Sequence, residues 1–391
     1  MNFLSAEKII SKLNNNYVKI WEDICNIESP TNNKQGVDRV GNYFVNLANE
    51  KGFAVEKLEQ KVSGDVVRII LNPDSKGKMI TLSAHIDTVH ELGSFGYPPV
   101  TFKDDKIIGP GVCDCKGGAV AAFFALDVLN ECGFKSNPVQ FLIQTDEESS
   151  SRLSNKETIK YIIEKSKDSL AFFNLEEYVD GEACLERKGI FTFKLSVKGI
   201  KSHASLCATS GANALVEAAN KIMEINKIND DKGTTCCVSL LNCSGSVNTV
   251  PDNCDIFVNT RYVTKNDGEI IKEKMKKIAD TVYVEGCTTE LCIYSERIPM
   301  ELNEKSVALL NEVNESFKQN NLPVLVPSKR NGGSDAAYIA SNLISCIDSI
   351  GVNGGNIHTT DEFAYVDSLS ESVKRLISAI FYLSKGDLNE K

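Results

Sequence analysis

The chain has 391 residues, of which 42% are hydrophobic and 25% are charged, a composition typical of a globular protein long enough for two domains. The formal net charge of −10 disfavours nucleic acid or an anionic membrane as the main partner, since both attract basic surfaces. No apolar run is long enough to cross a bilayer and charged residues occur close to the first methionine, so we expect a cytoplasmic protein without a signal peptide.

Strands and helices alternate in the first half of the chain. Two amphipathic helices are predicted first, at roughly 6–27 and 35–51. Short apolar runs then predict buried strands with helices between them. The strands are predicted at 79–84, 139–145 and 171–175, and the helices at 117–132 and 157–165. This alternation indicates an α/β fold with a doubly wound mixed sheet.

The pattern changes after residue 183. Residues 190–197 alternate between apolar and polar side chains, as in a half-exposed antiparallel strand, and the elements from there on have the order β-α-β-β-α-β. The alternation of helices and strands then returns. We therefore predict one domain formed by residues 1–183 and 298–391, and an inserted two-layer, ferredoxin-like α+β domain at 184–297.

Histidines and acidic residues follow the predicted strands, at the edge where doubly wound sheets bind ligands. The first buried strand ends in His85-Ile86-Asp87, in which the imidazole can bind a metal ion while the carboxylate orients the ring. Further along, a glycine-rich loop presents Asp114 directly before a predicted helix. Taken alone, each of these motifs also occurs by chance in many proteins.

Pairs of adjacent carboxylates follow the next two strands. Glu147-Glu148 end one strand and Glu176-Glu177 end the other, and such pairs repel each other unless cations or protons compensate their charge. His358 follows the last predicted strand. These nitrogen and oxygen donors together match two cations that share one bridging aspartate, and zinc is the metal that such ligands favour. A surface acidic turn is the alternative for a pair taken singly.

In this order the motifs resemble those of the zinc metallopeptidase family that contains glutamate carboxypeptidase, aminoacylase, acetylornithine deacetylase and succinyl-diaminopimelate desuccinylase. The resemblance spans nearly the whole chain and rests on motifs that occur together. They are His85-x-Asp87, Gly109-Pro110-Gly111-x-x-Asp114-x-Lys116-Gly117-Gly118, Glu147-Glu148, Arg187-Lys188-Gly189, Gly199-x-x-x-His203-Ala204, Asn248-x-Val250-Pro251, Gly332-Gly333-Ser334-Asp335-Ala336 and the segment from His358 to Glu362.

The resemblance implies a pair of metal ions, two zinc ions with cobalt or manganese as alternatives. His85, Asp114 and Glu176 would hold one ion. Glu148, Asp114 and His358 would hold the other, so that Asp114 bridges the two.

The resemblance also assigns roles to residues around these ligands. Glu147 would be the general base of the reaction. Asp87 would orient His85, and Glu362 would support His358 from behind.

The resemblance implies that the inserted domain is a dimerisation lid. It also implies that the domain formed by the two flanking segments is the catalytic, zinc-binding domain. His203 would reach the active site of the partner subunit in a homodimer and stabilise the oxyanion there. Asn248, Arg261 and the backbone at Gly333 would hold the substrate carboxylate. A surface salt bridge is an equal alternative for Arg261.

Three positions depart from the commonest family pattern. Cys115 stands where methionine is frequent, and we expect little effect because the residue is not a predicted ligand. Glu177 stands where proline is usual, so the choice of Glu176 as the ligand rests on the alignment of the preceding strand. Ser205 stands where glycine is usual and would alter the packing of the lid. The 13 cysteines show no CxxC pair and are expected to be free, buried thiols.

The sequence therefore predicts a di-zinc metallohydrolase that cleaves an amide bond next to a free carboxylate. A carboxypeptidase or dipeptidase acting on small peptides is the leading interpretation. An N-acyl-amino-acid deacylase, of the desuccinylase or deacetylase type, would use the same residues and stays open. A metal- or peptide-binding protein without catalysis is a third alternative, although the predicted ligands and base are all present.

Overall fold

The computed structural model of the chain describes residues 2–389, with side chains through residue 386. Contacts divide the chain into two compact units. The first comprises Met1–Leu185, Leu302–Lys329 and Ser334–Lys391, and the second comprises Glu186–Glu301 and Arg330–Gly333.

A mixed six-stranded sheet forms the centre of the first unit. Its strands, in spatial order, are β1 (Ala54–Leu58), β2 (Val66–Leu71), β6 (Val139–Gln144), β3 (Ile80–His85), β7 (Ala171–Asn174) and β16 (Cys346–Ile347). The first three pair antiparallel, whereas β6, β3, β7 and β16 pair parallel. The predicted mixed α/β sheet is thereby confirmed, and the carboxyl ends of its parallel strands meet at one edge. Every residue of β3 and β6 is buried, as their short, mainly apolar runs predict.

Helices of the first unit pack into one large apolar core around Trp21, Phe44 and Phe124. They are α1 (Phe3–Cys25), α2 (Lys34–Lys51), α3 (Lys116–Glu131), α7 (Glu304–Gln319) and α9 (Ser368–Asn389). The same unit also contains α4 (Glu157–Ser166) and α8 (Ala336–Ser341). Nearly all of α3 is buried. Gly118 allows its first turn to approach β7 closely, because a side chain there would collide with the main-chain oxygen of Leu175.

A smaller sheet of the first unit brings two distant parts of the chain together. Its strands lie in the order β17 (Gly354–Gly355), β18 (Phe363–Tyr365), β5 (Lys106–Ile108) and β4 (Thr101–Lys103). β5 and β18 are antiparallel, with Ile108 opposite Phe363. The loop that follows β5 therefore lies beside the segment that precedes β18, and these are the segments that carry Asp114 and His358.

The second unit contains an antiparallel four-stranded sheet and two helices. In spatial order the strands are β11 (Thr235–Ser244), β13 (Asn253–Tyr262), β9 (Gly189–Lys198) and β14 (Thr288–Arg297), and the helices are α5 (Ala214–Asn226) and α6 (Lys265–Asp280). Two short strands, β10 (Ser202–His203) and β12 (Thr249–Val250), form a separate pair. Burial alternates along β9 as its sequence pattern predicts, and its inward side chains share a core with both helices. The remaining strands, β8 (Glu182–Arg187) and β15 (Val326–Arg330), pair with each other.

Candidate active site

The predicted ligands gather where the parallel strands of the first unit end. β3 ends at His85, which is paired in register with Gln144, the last residue of β6. The chain continues from β6 into Glu147-Glu148, and β7 ends shortly before Glu176. Since these strands are parallel neighbours, their three carboxylates and one imidazole emerge at the same edge of the sheet.

Asp114 lies between two imidazole rings. Its Oδ1 is 2.9 Å from Nε2 of His85, and its Oδ2 is 3.1 Å from Nε2 of His358. Each ring has a glutamate as a second neighbour. Glu176 Oε1 is 3.9 Å from Nε2 of His85, and Glu148 Oε2 is 3.5 Å from Nε2 of His358. The five side chains thus form two groups that share one carboxylate.

The chemistry of these donors suits a divalent cation. The ligand atoms of His85, Asp114 and Glu148 lie within 4.8 Å of one another, as do those of His85, Cys115 and Glu176. Burial and the charge of Asp114 raise the pKa of Glu148 to about 8, and burial also raises the pKa of Glu176. Carboxylates in such surroundings are ionised at neutral pH only beside a positive charge, which a bound cation supplies.

Protons compete with a cation for the same positions. Burial by itself lowers the pKa of His85, but hydrogen bonds to Asp114 and Asp87 outweigh this effect and raise that pKa well above its usual range. Hydrogen bonds to Asp114 and Glu148 raise the pKa of His358 to about 11. Burial raises the pKa of Asp114, yet its hydrogen bonds to both imidazoles lower it further. Because an imidazole binds metal in its neutral form, a cation that binds here displaces these ring protons.

Asp87 is a fully buried carboxylate that connects two parts of the site. Nδ1 of His85 is 2.9 Å from the main-chain oxygen of Asp87 and 3.6 Å from its Oδ1. The same carboxylate accepts hydrogen bonds from the backbone N–H groups of Glu147 and Glu148, both at 3.1 Å. The hydroxyl of Thr31 also donates to it, at 2.8 Å. Asp87 therefore holds the glutamate pair in place as well as the histidine that we predicted it to orient.

Glu362 has a different partner from the one predicted. We expected it to support His358, but its buried carboxylate accepts hydrogen bonds from the loop that carries Asp114. Oε1 accepts from the backbone N–H groups of Cys113 and Asp114, each at 2.9 Å, and Oε2 accepts from that of Gly111 at 3.2 Å. A carboxylate surrounded by backbone donors fixes the course of a loop strongly, because each bond to an ionised acceptor is charge-assisted.

Two further buried side chains lie near this loop, and of the two only Lys116 belongs to a sequence motif. Nε2 of His90 lies 2.6 Å from Oε2 of Glu362, and its ring packs edge-on against Phe95. Lys116, fully buried, donates from Nζ to the main-chain oxygen of Ile27 at 2.8 Å. The rarity of histidine in this chain was the one signal that could have drawn attention to His90.

A buried polar network lies at the same strand ends. Nε2 of Gln144 donates to Oδ2 of Asp335 at 2.6 Å, and Nδ2 of Asn174 donates to Oγ of Ser334 and to Oδ1 of Asp348, each at 3.0 Å. The Gly332–Ala336 motif of the sequence thus places two of its side chains under the ends of β6 and β7. Their contacts could not be derived from the motif, because they depend on how distant segments pack.

Two of the predicted lid residues lie together in the second unit. β10, which ends at His203, pairs with β12, which directly follows Asn248. The backbone N–H of Ala204 donates to the main-chain oxygen of Asn248 at 2.9 Å. Ser205 donates its backbone N–H to Nδ1 of His203 at 3.3 Å, so the neutral ring carries its proton on Nε2. Both His203 and Asn248 are exposed.

The other two predicted substrate-binding residues lie in a cationic part of the second unit. Nη1 of Arg261 donates to the main-chain oxygen of Asn331 at 3.3 Å, and Nε donates to Oδ1 of Asn259 at 3.2 Å. Burial and the charge of Arg297 lower the pKa of Arg261. Arg297 also packs against Gly333, where a side chain would collide with it.

Comparison with known proteins places the chain among its relatives. The model of Peptidase family M20/M25/M40 matches residues 81–381. Carboxypeptidase G2 of Pseudomonas sp. (strain RS-16) is 27% identical over 369 residues, covering 93% of this chain and 87% of that protein. A succinyl-diaminopimelate desuccinylase of Rickettsia felis is 27% identical over 287 residues, covering 67% and 73%. A tripeptidase structure from Staphylococcus aureus superposes with a TM-score of 0.76 at 19% identity, covering 94% of this chain and 98% of that one.

The fold and the donor set are those of a metal-dependent hydrolase, and the relatives agree with this class. The family match covers most of the chain, so the chain belongs to Peptidase family M20/M25/M40. The resemblance drawn from the motifs is thereby confirmed, and the use of a divalent metal follows from the family and from the donors. Within the part of the chain that the structure describes, no helix combines the length and apolarity that a membrane span requires.

Proposed function

We propose that the protein is a di-zinc carboxypeptidase or dipeptidase that cleaves an amide bond next to the free carboxylate of a small peptide. The observation that carries this proposal is the position of Asp114, whose two carboxylate oxygens face two different imidazoles. A carboxylate in this position suits a pair of cations better than a single one, since each oxygen serves its own group of donors.

In this proposal one zinc ion is held by His85, Asp114 and Glu176, and the other by His358, Asp114 and Glu148. Bound zinc supplies a Lewis acid that polarises the scissile carbonyl and acidifies the attacking water. Cobalt or manganese would serve the same donors. All other steps belong to side chains of the chain itself.

Glu147 is the proposed general base. Its backbone is fixed by Asp87, and it stands outside both donor groups, so its carboxylate is not required as a ligand. It is buried and follows the same strand as Glu148. Glu147 accepts the proton of the attacking water and delivers it to the leaving nitrogen.

The substrate carboxylate is assigned to the second unit. Arg261 carries a permanent charge and a planar fork of donors that matches a carboxylate. The positive charge of Arg297, which lies near Arg261 and packs against Gly333, supports this assignment, as does the exposed amide of Asn248. His203, with its proton on Nε2, presents a donor suited to an oxyanion.

We also propose that the second unit is a ferredoxin-like dimerisation lid and that the first unit is the catalytic domain. The order of the four strands and two helices supports the ferredoxin-like interpretation. Strand β11 lies at the edge of its sheet with Leu240 and Leu241 exposed, and α5 exposes Val216 and Met223. Long apolar edge strands are normally covered by a partner, and a second copy of the chain would cover this one.

Sedimentation tests the dimer directly. Leu241→Glu is expected to shift the protein toward monomers, because it places a charge in the proposed interface. Ile293→Glu, on the opposite edge strand β14, is the matched control and should leave the distribution unchanged. Equal behaviour of the two variants would remove β11 from the interface. The cytoplasmic location stays a prediction that fractionation of cells would test.

A deacylase remains the second candidate, because the desuccinylase relative is as similar in identity as the carboxypeptidase relative. The ligands, the base and Arg261 would be the same for both substrates. The two substrates differ on the acyl side of the bond that is cleaved. A peptidase substrate carries an amino acid or a peptide there, whereas a deacylase substrate carries a small acyl group.

Hydrolysis of a matched panel by the zinc-reconstituted protein tests the function. The panel contains dipeptides, tripeptides, and N-acetyl and N-succinyl amino acids, each with a free or an amidated carboxyl end. We expect cleavage of peptides with a free carboxylate, loss of activity with a chelator, and a fall of roughly 10²- to 10⁴-fold for Glu147→Gln with zinc content unchanged. Cleavage confined to acyl amino acids would favour the deacylase. No turnover with two zinc ions bound would overturn both candidates.

A further inference from the structure

The two cysteines that flank Asp114 differ in their surroundings, although both are fully buried. The Sγ of Cys113 packs against Gly354, where an added Cβ would lie only 2.7 Å from the sulfur. The S–H of Cys115 instead donates to the main-chain oxygen of Leu175 at 2.8 Å, just before Glu176. One thiol therefore faces the β17 backbone, and the other faces the ends of the strands that carry the ligands.

Cys115 is also close to two of the proposed metal ligands. Its Sγ, a ring nitrogen of His85 and a carboxylate oxygen of Glu176 lie within 4.8 Å of one another. Oδ1 of Asp114 lies 2.9 Å from the same histidine ring. The group that contains Cys115 thus offers one nitrogen, one carboxylate oxygen and one sulfur, and Asp114 contacts the same histidine ring from a second group.

Bond lengths of about 2.0–2.3 Å to a tetrahedral zinc ion place its donors roughly 3.3–3.8 Å apart, and the three donor atoms of this group lie within 4.8 Å of one another. To bind a cation, the thiol would give up its hydrogen bond to the oxygen of Leu175. The other donor group, in which Asp114 and Glu148 lie beside His85, contains no sulfur.

We propose that Cys115 is a fourth ligand for the cation held by His85, Asp114 and Glu176. This inference rests on the proposed two-cation function and adds to it a difference between the two positions. When the metal–sulfur bond forms, the S–H bond breaks, its proton leaves to solvent, and the hydrogen bond to Leu175 is given up. The position beside His85 then discriminates against manganese, in favour of zinc or cadmium, more strongly than the position beside His358, whose proposed ligands include no sulfur.

Cobalt and cadmium binding to the full-length, chelator-stripped protein tests the proposal. Metal content is measured separately from the ultraviolet charge-transfer absorption that a metal–thiolate bond produces. We expect this absorption in the wild-type protein and in Cys113→Ser, and its loss in Cys115→Ser. In Cys115→Ser, cadmium affinity at the position beside His85 should fall by roughly 10-fold or more. Loss of a residue that only supports a ligand already causes a fall of about 10-fold. Manganese affinity should change by less than about 2-fold.

Each result has a distinct meaning. Absorption that survives Cys115→Ser, or its absence in a wild-type protein holding two ions, would overturn the thiolate ligand and leave the proposed function standing. Failure of the wild-type protein to bind a second ion would overturn the two-cation function itself. Because Cys115→Ser could also disturb folding, X-ray absorption of the wild-type zinc protein gives a second measurement. A sulfur neighbour at about 2.3 Å is expected, and its absence would overturn the proposal.

Discussion

Asp114, the proposed bridging ligand of the first unit, is held differently from His203 and Asn248 of the second unit. Asp114 is buried, and its loop is fixed by hydrogen bonds from three backbone N–H groups to Glu362. His203 and Asn248 lie on or beside two-residue strands and are exposed. Buried charges must be fixed because an error in their spacing leaves repulsion uncompensated. Exposed donors need no fixed partner in the protein, because they form hydrogen bonds to water until a substrate or a partner replaces it.

Removal of a proposed metal ligand from the first unit should have the largest effect on activity. Glu176→Ala is expected to lower kcat by more than about 100-fold, since it removes charge stabilisation worth several kcal/mol and one zinc equivalent. Glu177→Ala is the matched control, because it truncates the neighbouring carboxylate. Metal analysis and kinetics on both variants check the expectation. Equal loss in the two variants would contradict the assignment of Glu176.

Loss of the carboxylate beneath the Asp114 loop should be the next largest effect. Glu362→Gln replaces one acceptor oxygen with an amide that faces backbone N–H groups, so the loop can no longer hold Asp114 in register. Zinc affinity, measured by competition with a chelator, should fall about 10- to 100-fold. Asp361→Asn, a change at the exposed neighbour, should leave the affinity unchanged. Unchanged affinity in Glu362→Gln would show that Glu362 does not position the ligands.

A change in the second unit should alter substrate binding without altering the metal. Arg261→Ala is expected to lower kcat/KM for peptides with a free carboxylate by about 10- to 100-fold, mainly through KM, because it removes a charged hydrogen-bond donor. Zinc content should stay at the wild-type value. The amidated peptides provide the control, since they lack the group that Arg261 would bind. A similar loss for both kinds of peptide would reduce Arg261 to a surface or structural role.

The pH dependence of stability should separate the protonated from the metal-bound site. The raised pKa of His358, about 11 against 6.5, contributes stability to the metal-free protein below pH 6.5 that is lost as pH rises through about 11. The raised pKa of Glu148, about 8 against 4.5, contributes stability below pH 4.5 that is lost as pH rises through about 8. Both raised pKa values therefore predict that the metal-free protein becomes less stable as pH rises above 6.5.

Unfolding by urea in the presence of a chelator, repeated at several pH values, measures how the free energy of unfolding of the metal-free protein depends on pH. Added zinc should stabilise the protein more at about pH 8 than at about pH 6, because the cation replaces protons that are already leaving. In the metal-free protein, His358→Gln should weaken the dependence of the free energy of unfolding on pH. If the pH dependence is the same in that variant, it arises from groups outside the site.

The fold around these residues was predictable where a local pattern carries the information. The short, mainly apolar runs before His85 and Glu147 predicted buried strands, and parallel strands place their ends together. The partner of Glu362 was not predictable, because it depends on the pairing of β5 with β18 across most of the chain. The contact of Gln144 with Asp335 is equally remote in sequence. The roles assigned to the ligands, the base and the lid residues stay predictions.

The distance in sequence between Asp114 and His358 has a consequence for the durability of the fold. The two residues are 244 positions apart, and their side chains meet at 3.1 Å. All 13 cysteines are free, so no disulfide joins the early and late segments of the first unit. A cation held by both residues acts as a reversible cross-link that closes this long loop, and such a closure restricts the unfolded chain strongly. The supply of metal would then set how long the first unit resists unfolding and proteolysis, in addition to whether it can react.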